Sequence, residues 1–141
     1  MHIEKILHFD CKARYLWSII RSFRSGDLQY AIGTITSVEE VDGKRYRTFV
    51  NIDGSKTVQT LLERDEEKRI VVFETIKTDL PVSSAKSSFQ VTGDDTGCTL
   101  TCKLDYDLKD ISEERMTAMF EDAWKLGETA FRKRVESGRS A

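Results

Sequence analysis

Arg47 is the residue in this sequence with the clearest chemical potential. On an apolar interior face, its guanidinium group could bind a carboxylate or phenolate through paired hydrogen bonds. Alternation along the segment leaves the inward face open, because either Arg45 and Arg47 or the residues between them could point inward. On the solvent face, Arg47 would instead pair with Glu63 or Glu74, and buried arginines are rare. The residue pattern therefore allows both orientations of the Arg47 side chain.

The other reactive residue types do not form a known catalytic or metal-binding pattern. His2 and His8 both lie in the first predicted strand, so they complete neither a Ser-His-Asp triad nor a zinc site. The spacing of the three cysteines does not match a metal-binding motif, and we predict that they are reduced thiols. We predict no catalytic residue, no metal and no cofactor. Arg47, Tyr106 and His8 are the groups that an enzyme would have to use.

The composition narrows the class of partner. Of the 141 residues, 39% are hydrophobic and 33% are charged. The formal net charge of −2 does not indicate a nucleic-acid-binding protein, which would carry a basic surface. No apolar run approaches the ~20 residues that span a bilayer, and the first ten residues do not form a signal peptide. We predict a cytoplasmic protein with no integral membrane association, and leave a homodimer open.

Most of the chain alternates with period two, which is typical of strands. Two Asp-Gly pairs, Asp42-Gly43 and Asp53-Gly54, are strong hairpin signals between such segments. The pattern predicts seven strands, at His2–Asp10, Thr34–Val41, Arg45–Ile52, Lys56–Arg64, Arg69–Lys77, Ser83–Thr92 and Cys98–Asp107.

Two segments change to helical spacing. The first, 11–23, would begin after an Asp10 cap and stop before Gly26. The second, Ile111–Val135, could be capped by Asp110 or Ser112, with an apolar stripe of Met116, Met119, Phe120, Ala123, Gly127, Ala130 and Phe131. A meander of strands with one long terminal helix is an α+β architecture. We predict one domain over residues 1–137 and a flexible tail over 138–141.

This order of elements resembles the START-like or Bet v 1-like superfamily of polyketide cyclase/dehydrase and lipid-transport proteins. The resemblance covers nearly the whole chain and is carried by Trp17, Gly43-x-x-x-Arg47-Thr48, Asp53-Gly54, Leu61-Leu62-x-x-Asp65 with Arg69, Leu80-Pro81-Val82 and Gly97-x-Thr99. It implies a helix-grip fold, in which a curved antiparallel sheet wraps the C-terminal helix around a mainly apolar cavity. It also favours Arg47 pointing inward, and implies that the loops at Asp53–Ser55 and Thr78–Val82 border the cavity mouth.

Strand parity, the helical stripe and the resemblance together give a predicted ligand-binding set. Its members are Arg47, Phe49, Gln59, Leu61, Phe73, Leu80, Ser87, Phe89, Cys102, Phe120, Ala123, Trp124 and Gly127. Ordinary core packing is the alternative for each apolar member. Gly127 stands out, because a glycine inside a helix costs about 1 kcal/mol relative to alanine.

Three positions depart from the superfamily pattern. Gln59 stands where several relatives carry an acidic residue, and an amide cannot act as a general base. Ala85 and Cys102 stand where relatives often have Tyr and Trp. These departures weaken a catalytic interpretation and predict a differently shaped pocket.

Three functions remain, and fold alone does not decide among them. The first is binding of a small apolar or amphipathic molecule between sheet and helix, oriented by Arg47, Gln59 and Ser87. The second is a polyketide cyclase/dehydratase-like enzyme that confines a reactive chain. The third is a non-catalytic protein-interaction module of co-chaperone type, with a filled core and a working surface.

Overall fold

Alternating strands form an antiparallel sheet in the computed structural model, which describes residues 1–22, 34–50 and 54–140. The seven strands are β1 (His2–Phe9), β2 (Thr34–Val41), β3 (Lys44–Val50), β4 (Lys56–Asp65), β5 (Ile70–Thr78), β6 (Val82–Gly93) and β7 (Cys98–Leu108). Their order across the sheet is β1-β7-β6-β5-β4-β3-β2. Strands β2 to β7 therefore form a meander, and β1 pairs with the last of them.

The turns follow the expected backbone chemistry where the structure describes them. Asp42 and Gly43 join β2 to β3 with φ values of 52° and 79°. Positive φ at both positions is the type I′ geometry that matches the twist of a hairpin. The β4–β5 turn is held by Asp65, whose Oδ1 accepts hydrogen bonds from the backbone N–H groups of Glu67 and Lys68, both at 3.0 Å.

Two helices complete the fold, α1 (Ala13–Ile20) and α2 (Glu113–Ser140). The N-cap of α1 is Lys12, which makes no side-chain cap, so the predicted Asp10 cap is wrong. Instead, the N–H of Ala13 donates to the carbonyl oxygen of Asp94 at 2.8 Å. The predicted end of this helix, Phe23 and Gly26, lies outside the described residues, as do the end of the third predicted strand and Asp53.

Of the two predicted caps of α2, Asp110 and Ser112, the structure shows Ser112. Ser112 Oγ accepts a hydrogen bond from the N–H of Arg115 at 3.2 Å, which is the N-cap interaction. The helix then continues through Ser140. The backbone of residues 138–140 is therefore helical, and Ala141 lies outside the described residues.

One face of α2 packs against the concave side of the sheet. The buried residues of this helix are Met116, Phe120, Trp124, Gly127, Phe131 and Val135, which recur three and four apart. The predicted stripe was wrong at Met119, which is 45% exposed, and at Ala130, which is exposed. The true stripe advances mostly in steps of four, so it drifts around the helix away from both positions.

Contacts in both halves of α2 connect it to β1 and α1. Phe131 meets Phe9 edge to face, with ring centroids 5.8 Å apart. The Tyr15 hydroxyl donates to the carbonyl oxygen of Val135 at 3.1 Å, and Lys5 Nζ pairs with Glu121 at 2.7 Å. This arrangement confirms the predicted α+β helix-grip fold. No helix in the described part of the chain is long and apolar enough to cross a membrane.

Candidate functional site

The strand register places one row of aligned residues across five neighbouring strands. Each residue is paired with the next, and the row consists of Arg47, Gln59, Thr75, Ala85 and Tyr106. A second row runs beside it and consists of Leu61, Phe73, Ser87 and Leu104. All but Leu61 line a cavity between the concave face of the sheet and α2.

The cavity is small and its lining is mostly apolar. Its volume is about 40 Å³, which is room for a few water molecules at most. The lining residues are Arg47, Phe49, Thr57, Gln59, Phe73, Thr75, Leu80, Val82, Ala85, Ser87, Phe89, Leu104, Tyr106, Phe120 and Trp124. Phe73 stacks on Phe89 with centroids 5.1 Å apart, and Phe120 stacks on Trp124 at 5.6 Å.

Arg47 faces this cavity. The residue is 3% exposed, which rules out the solvent-facing alternative with Glu63 or Glu74. Its Nε donates to Gln59 Oε1 at 2.9 Å, and its Cζ lies 4.8 Å from the centroid of the Phe73 ring. The guanidinium group thus contacts an amide oxygen and an aromatic face, and both contacts suit arginine better than lysine.

Gln59 is a hydrogen-bond donor toward the remaining space. An arginine side chain carries donors only, so the amide oxygen of Gln59 must be the atom that faces Arg47. Gln59 is 4% exposed, and its NH₂ group donates to none of the residues that the structure describes. A buried amide donor of this kind is costly unless something accepts its hydrogen bond.

Besides Thr57 and Thr75, two further residues with hydroxyl groups line the cavity. Ser87 is 6% exposed, and Tyr106 packs its ring against Phe120 with centroids 6.3 Å apart. Tyr106 is half-buried as a whole residue, but burial raises the pKa of its hydroxyl far above the ordinary value. Neither hydroxyl hydrogen-bonds to a residue within the described ranges. Both are therefore neutral groups that can donate and accept.

Most of the predicted site residues meet in the cavity. Those that line it are Arg47, Phe49, Gln59, Phe73, Leu80, Ser87, Phe89, Phe120 and Trp124. The others do not line it: Cys102 is fully buried core, Leu61 packs against the core from its edge, and Ala123 and Gly127 lie elsewhere on α2. Gly127 is buried, so close packing of the helix is the reading that its position supports.

The prediction omitted six lining residues. Thr75, Ala85, Leu104 and Tyr106 lie on inward faces that strand parity identifies, so counting along the rows would have included them. Thr57 has the same parity as Gln59 in β4, so alternation would have included it as well. Val82 lies beside a register shift in β6, where simple alternation fails. Sequence alone gives no signal for Val82.

His8 lies outside the cavity. Its side chain is exposed, and Nδ1 lies 3.1 Å from the Thr99 hydroxyl on the outer face of the sheet. Of the three groups that an enzyme would need, only Arg47 and Tyr106 are therefore in place. The two loops expected to border the cavity mouth differ, because Leu80 lines the cavity, whereas Gly54 is exposed with a φ of 88°.

Comparison with solved structures shows the same fold at low identity. The protein XoxI from Bacillus cereus is 19% identical, with a TM-score of 0.78 over 95% of this chain and 94% of that one. A START superfamily protein from Mycobacterium smegmatis is 14% identical, with a TM-score of 0.74 over 96% and 97%. The Zhui aromatase/cyclase from Streptomyces sp. R1128 is 13% identical, with a TM-score of 0.72 over 96% and 90%.

Comparison with curated protein sequences gave no match. A family model does match, and it covers almost the whole chain, from residue 2 to residue 136. That family is described as polyketide cyclase / dehydrase and lipid transport. With a helix-grip fold, a cavity under α2 and this match along its length, the chain belongs to the polyketide cyclase/dehydrase and lipid-transport family.

Proposed function

We propose that the protein binds a small apolar or amphipathic molecule in the cavity between the sheet and α2. The observation that carries this proposal is a buried cation, Arg47, on the wall of an aromatic cavity. Apolar burial would supply most of the affinity, and a few polar groups would fix the orientation of the ligand. Arg47, Gln59 and Ser87 are the polar groups assigned to that role.

The cavity must widen when a ligand enters. Its volume of about 40 Å³ is well below the ~300 Å³ at the lower end of ligand pockets. Leu80 is the lining residue that comes from a connection between strands and not from a strand or helix. Movement of the Thr78–Val82 connection, with repacking of the stacked aromatic pairs, would provide the space.

A cyclase-like reaction is the second candidate, and it is favoured by the similarity to the Zhui aromatase/cyclase structure. Arginine stays protonated at any relevant pH, and burial raises the pKa of Tyr106. Neither group would act as a general base near neutrality. A reaction in this cavity would therefore depend on confining and orienting a reactive chain.

Arg47→Ala tests the proposed orientation. Two probes of the same shape, 2-naphthoic acid and 2-naphthamide, differ in charge and would be titrated by calorimetry. We expect the substitution to weaken the acid about 10- to 100-fold, because a charge-assisted hydrogen bond is lost, and the amide by much less. Arg14→Ala, at an exposed position of α1, is the matched control and should change neither affinity. Equal losses for both probes would refute the role of Arg47.

A further inference from the structure

Two buried thiol groups touch each other outside the cavity. Cys11 Sγ lies 3.7 Å from Cys98 Sγ, although 87 positions separate the two residues in the chain. They are 5% and 6% exposed, neither lines the cavity, and both are free thiols in the structure. A disulfide bond is about 2.05 Å long, so an approach of roughly 1.7 Å would join the two sulfur atoms.

The turn between β6 and β7 fixes the position of Cys98. Cys98 pairs with Gly93 across this turn. A Cβ atom on Gly93 would lie 2.4 Å from the carbonyl oxygen of Gly97, so the turn closes this tightly only with glycine at that position. The Asp94 carboxylate accepts hydrogen bonds from the N–H and the hydroxyl of Thr96, at 2.8 and 2.6 Å. The turn is therefore internally bonded, and it places the first residue of β7.

The same turn holds Cys11. Two positions after Cys11, the N–H of Ala13 donates to the carbonyl oxygen of Asp94 at 2.8 Å. Two positions before it, Phe9 pairs with Cys98 at the end of the ladder between β1 and β7. The backbone on both sides of Cys11 is thus attached to the segment that carries Cys98. Because both thiols are held in one frame, a bond between them forms at little further cost in chain freedom.

We propose that Cys11 and Cys98 are a modification site, at which a low-molecular-weight disulfide such as oxidised glutathione introduces an intramolecular disulfide bond. One protein thiolate attacks a sulfur of the oxidant, which forms a mixed disulfide and releases one glutathione thiolate. The second protein thiolate attacks the protein sulfur of that mixed disulfide and displaces the second glutathione. Two protein thiols are oxidised, the oxidant is reduced to two thiols, and the released thiolates take up the two protons. Ligand binding in the cavity takes no part in these steps.

Burial makes the exchange slow in both directions. Together with the hydrogen bond between the two thiols, burial raises the pKa of Cys98 to about 12. Since thiolates are the attacking groups, oxidation should become faster as the pH rises. A thiol of high pKa is also a poor leaving group, so the disulfide should be reduced slowly once it has formed.

The oxidant reaches the pair from the side of Cys11. This residue lies between Asp10 and Lys12, which are both exposed. Lys12 is the N-cap of α1 and makes no side-chain hydrogen bond to the helix. A helix end without a side-chain cap opens at low cost in free energy, and such local opening exposes Cys11 first.

Thiol counting by mass spectrometry tests the site. Reduced protein would be equilibrated with oxidised glutathione at about pH 8.5, where thiolates are more abundant, then unfolded and alkylated with N-ethylmaleimide. The chain has three cysteines, and wild-type protein should fall from three alkylated thiols to one. Cys102→Ala, which removes the other buried thiol, is the matched control and should fall from two to none. Cys11→Ser should form no internal disulfide.

Thermal unfolding gives a second readout. The oxidised wild-type protein should melt roughly 5–15 °C above the reduced protein, because a cross-link between positions 87 apart restricts the unfolded chain. Dithiothreitol should reverse the shift, and Cys11→Ser should show none.

Refolding from urea in the same glutathione buffer provides a route to oxidation that does not depend on opening of the buried pair. Three alkylated thiols in wild-type protein by both routes would overturn the inference. An internal disulfide that persists in Cys11→Ser, or that is lost in Cys102→Ala, would overturn it as well.

Discussion

Among single residues outside the cavity, Glu66 connects two elements through its carboxylate. Its Oε2 accepts a hydrogen bond from Trp17 Nε1 at 2.7 Å, and its Oε1 accepts one from Arg21 Nε at 2.8 Å. Arg64 Nε lies 3.8 Å from the same carboxylate. The carboxylate therefore connects the turn between β4 and β5 to the end of α1.

These hydrogen bonds make the contribution of Glu66 depend on pH. Hydrogen bonds from Trp17 and Arg21 lower the pKa of Glu66 below its ordinary value of 4.5. A carboxyl group whose pKa is lower in the folded state stabilises the fold above the pKa of the unfolded state. That stabilisation is lost as the pH falls through the folded-state pKa.

Glu66→Gln should lower the melting temperature at neutral pH, because the amide cannot replace the charged acceptor. The difference from wild type should shrink as the pH falls below 4.5 and through the lowered pKa of Glu66, because the wild-type carboxylate then becomes protonated. Thermal unfolding monitored by circular dichroism at several pH values would measure it. Glu67→Gln, the exposed neighbour on the same turn, is the control. A difference that stays constant down to the acid limit would exclude this role.

The position of Arg47 shows what a sequence can give at this scale. Alternation restricts the side chain to one of two faces, but a strand with polar residues on both faces does not say which is inward. Burial of Phe49 on the same face settles the choice in the folded structure. Only the resemblance to a known family favoured the correct face in advance.

At the scale of elements, α2 covers the concave face of the sheet. Its buried residues cover the concave sheet, and its first half closes the cavity with Phe120 and Trp124. The strands and the existence of both helices were predictable, because period two and period 3.6 are strong local signals. The caps were less predictable, because Asp10, Asp110 and Ser112 all have suitable side chains. In the folded chain Lys12 occupies the N-cap of α1, and Ser112 caps α2 through the N–H of Arg115.

Phe131→Ala tests which face of α2 is buried. Phe131 is 1% exposed and meets Phe9 edge to face, so its truncation should cost about 3–5 kcal/mol of unfolding free energy. Met119→Ala is the matched control, and its cost should stay within about 0.5 kcal/mol because Met119 is on the surface. Urea denaturation of both variants gives the comparison. A larger loss for Met119→Ala than for Phe131→Ala would show that the helix packs by its other face.

At the scale of the whole molecule, the question is whether the interior holds a ligand or only packs itself. A protein-interaction module would have a fully packed interior and would bind its partner through an exposed apolar surface. The exposed large apolar residues in the described part of the chain are distributed over five elements, at Ile6, Val41, Leu62, Ile76, Met119 and Leu126. Single exposed apolar residues are normal for a protein surface. The polar groups inside the cavity favour ligand binding.

Native mass spectrometry of the protein purified from its own cells tests the central claim most directly. Wild-type protein should carry a small molecule of discrete mass that dissociates on activation. Ala85→Leu enlarges a buried residue that lines the cavity and should abolish that mass, because the added side chain fills the space. Ala118→Leu, an enlargement of the same size at an exposed position on α2, should retain it. Absence of any bound mass from the wild-type protein, or equal retention in both variants, would contradict ligand binding in this cavity.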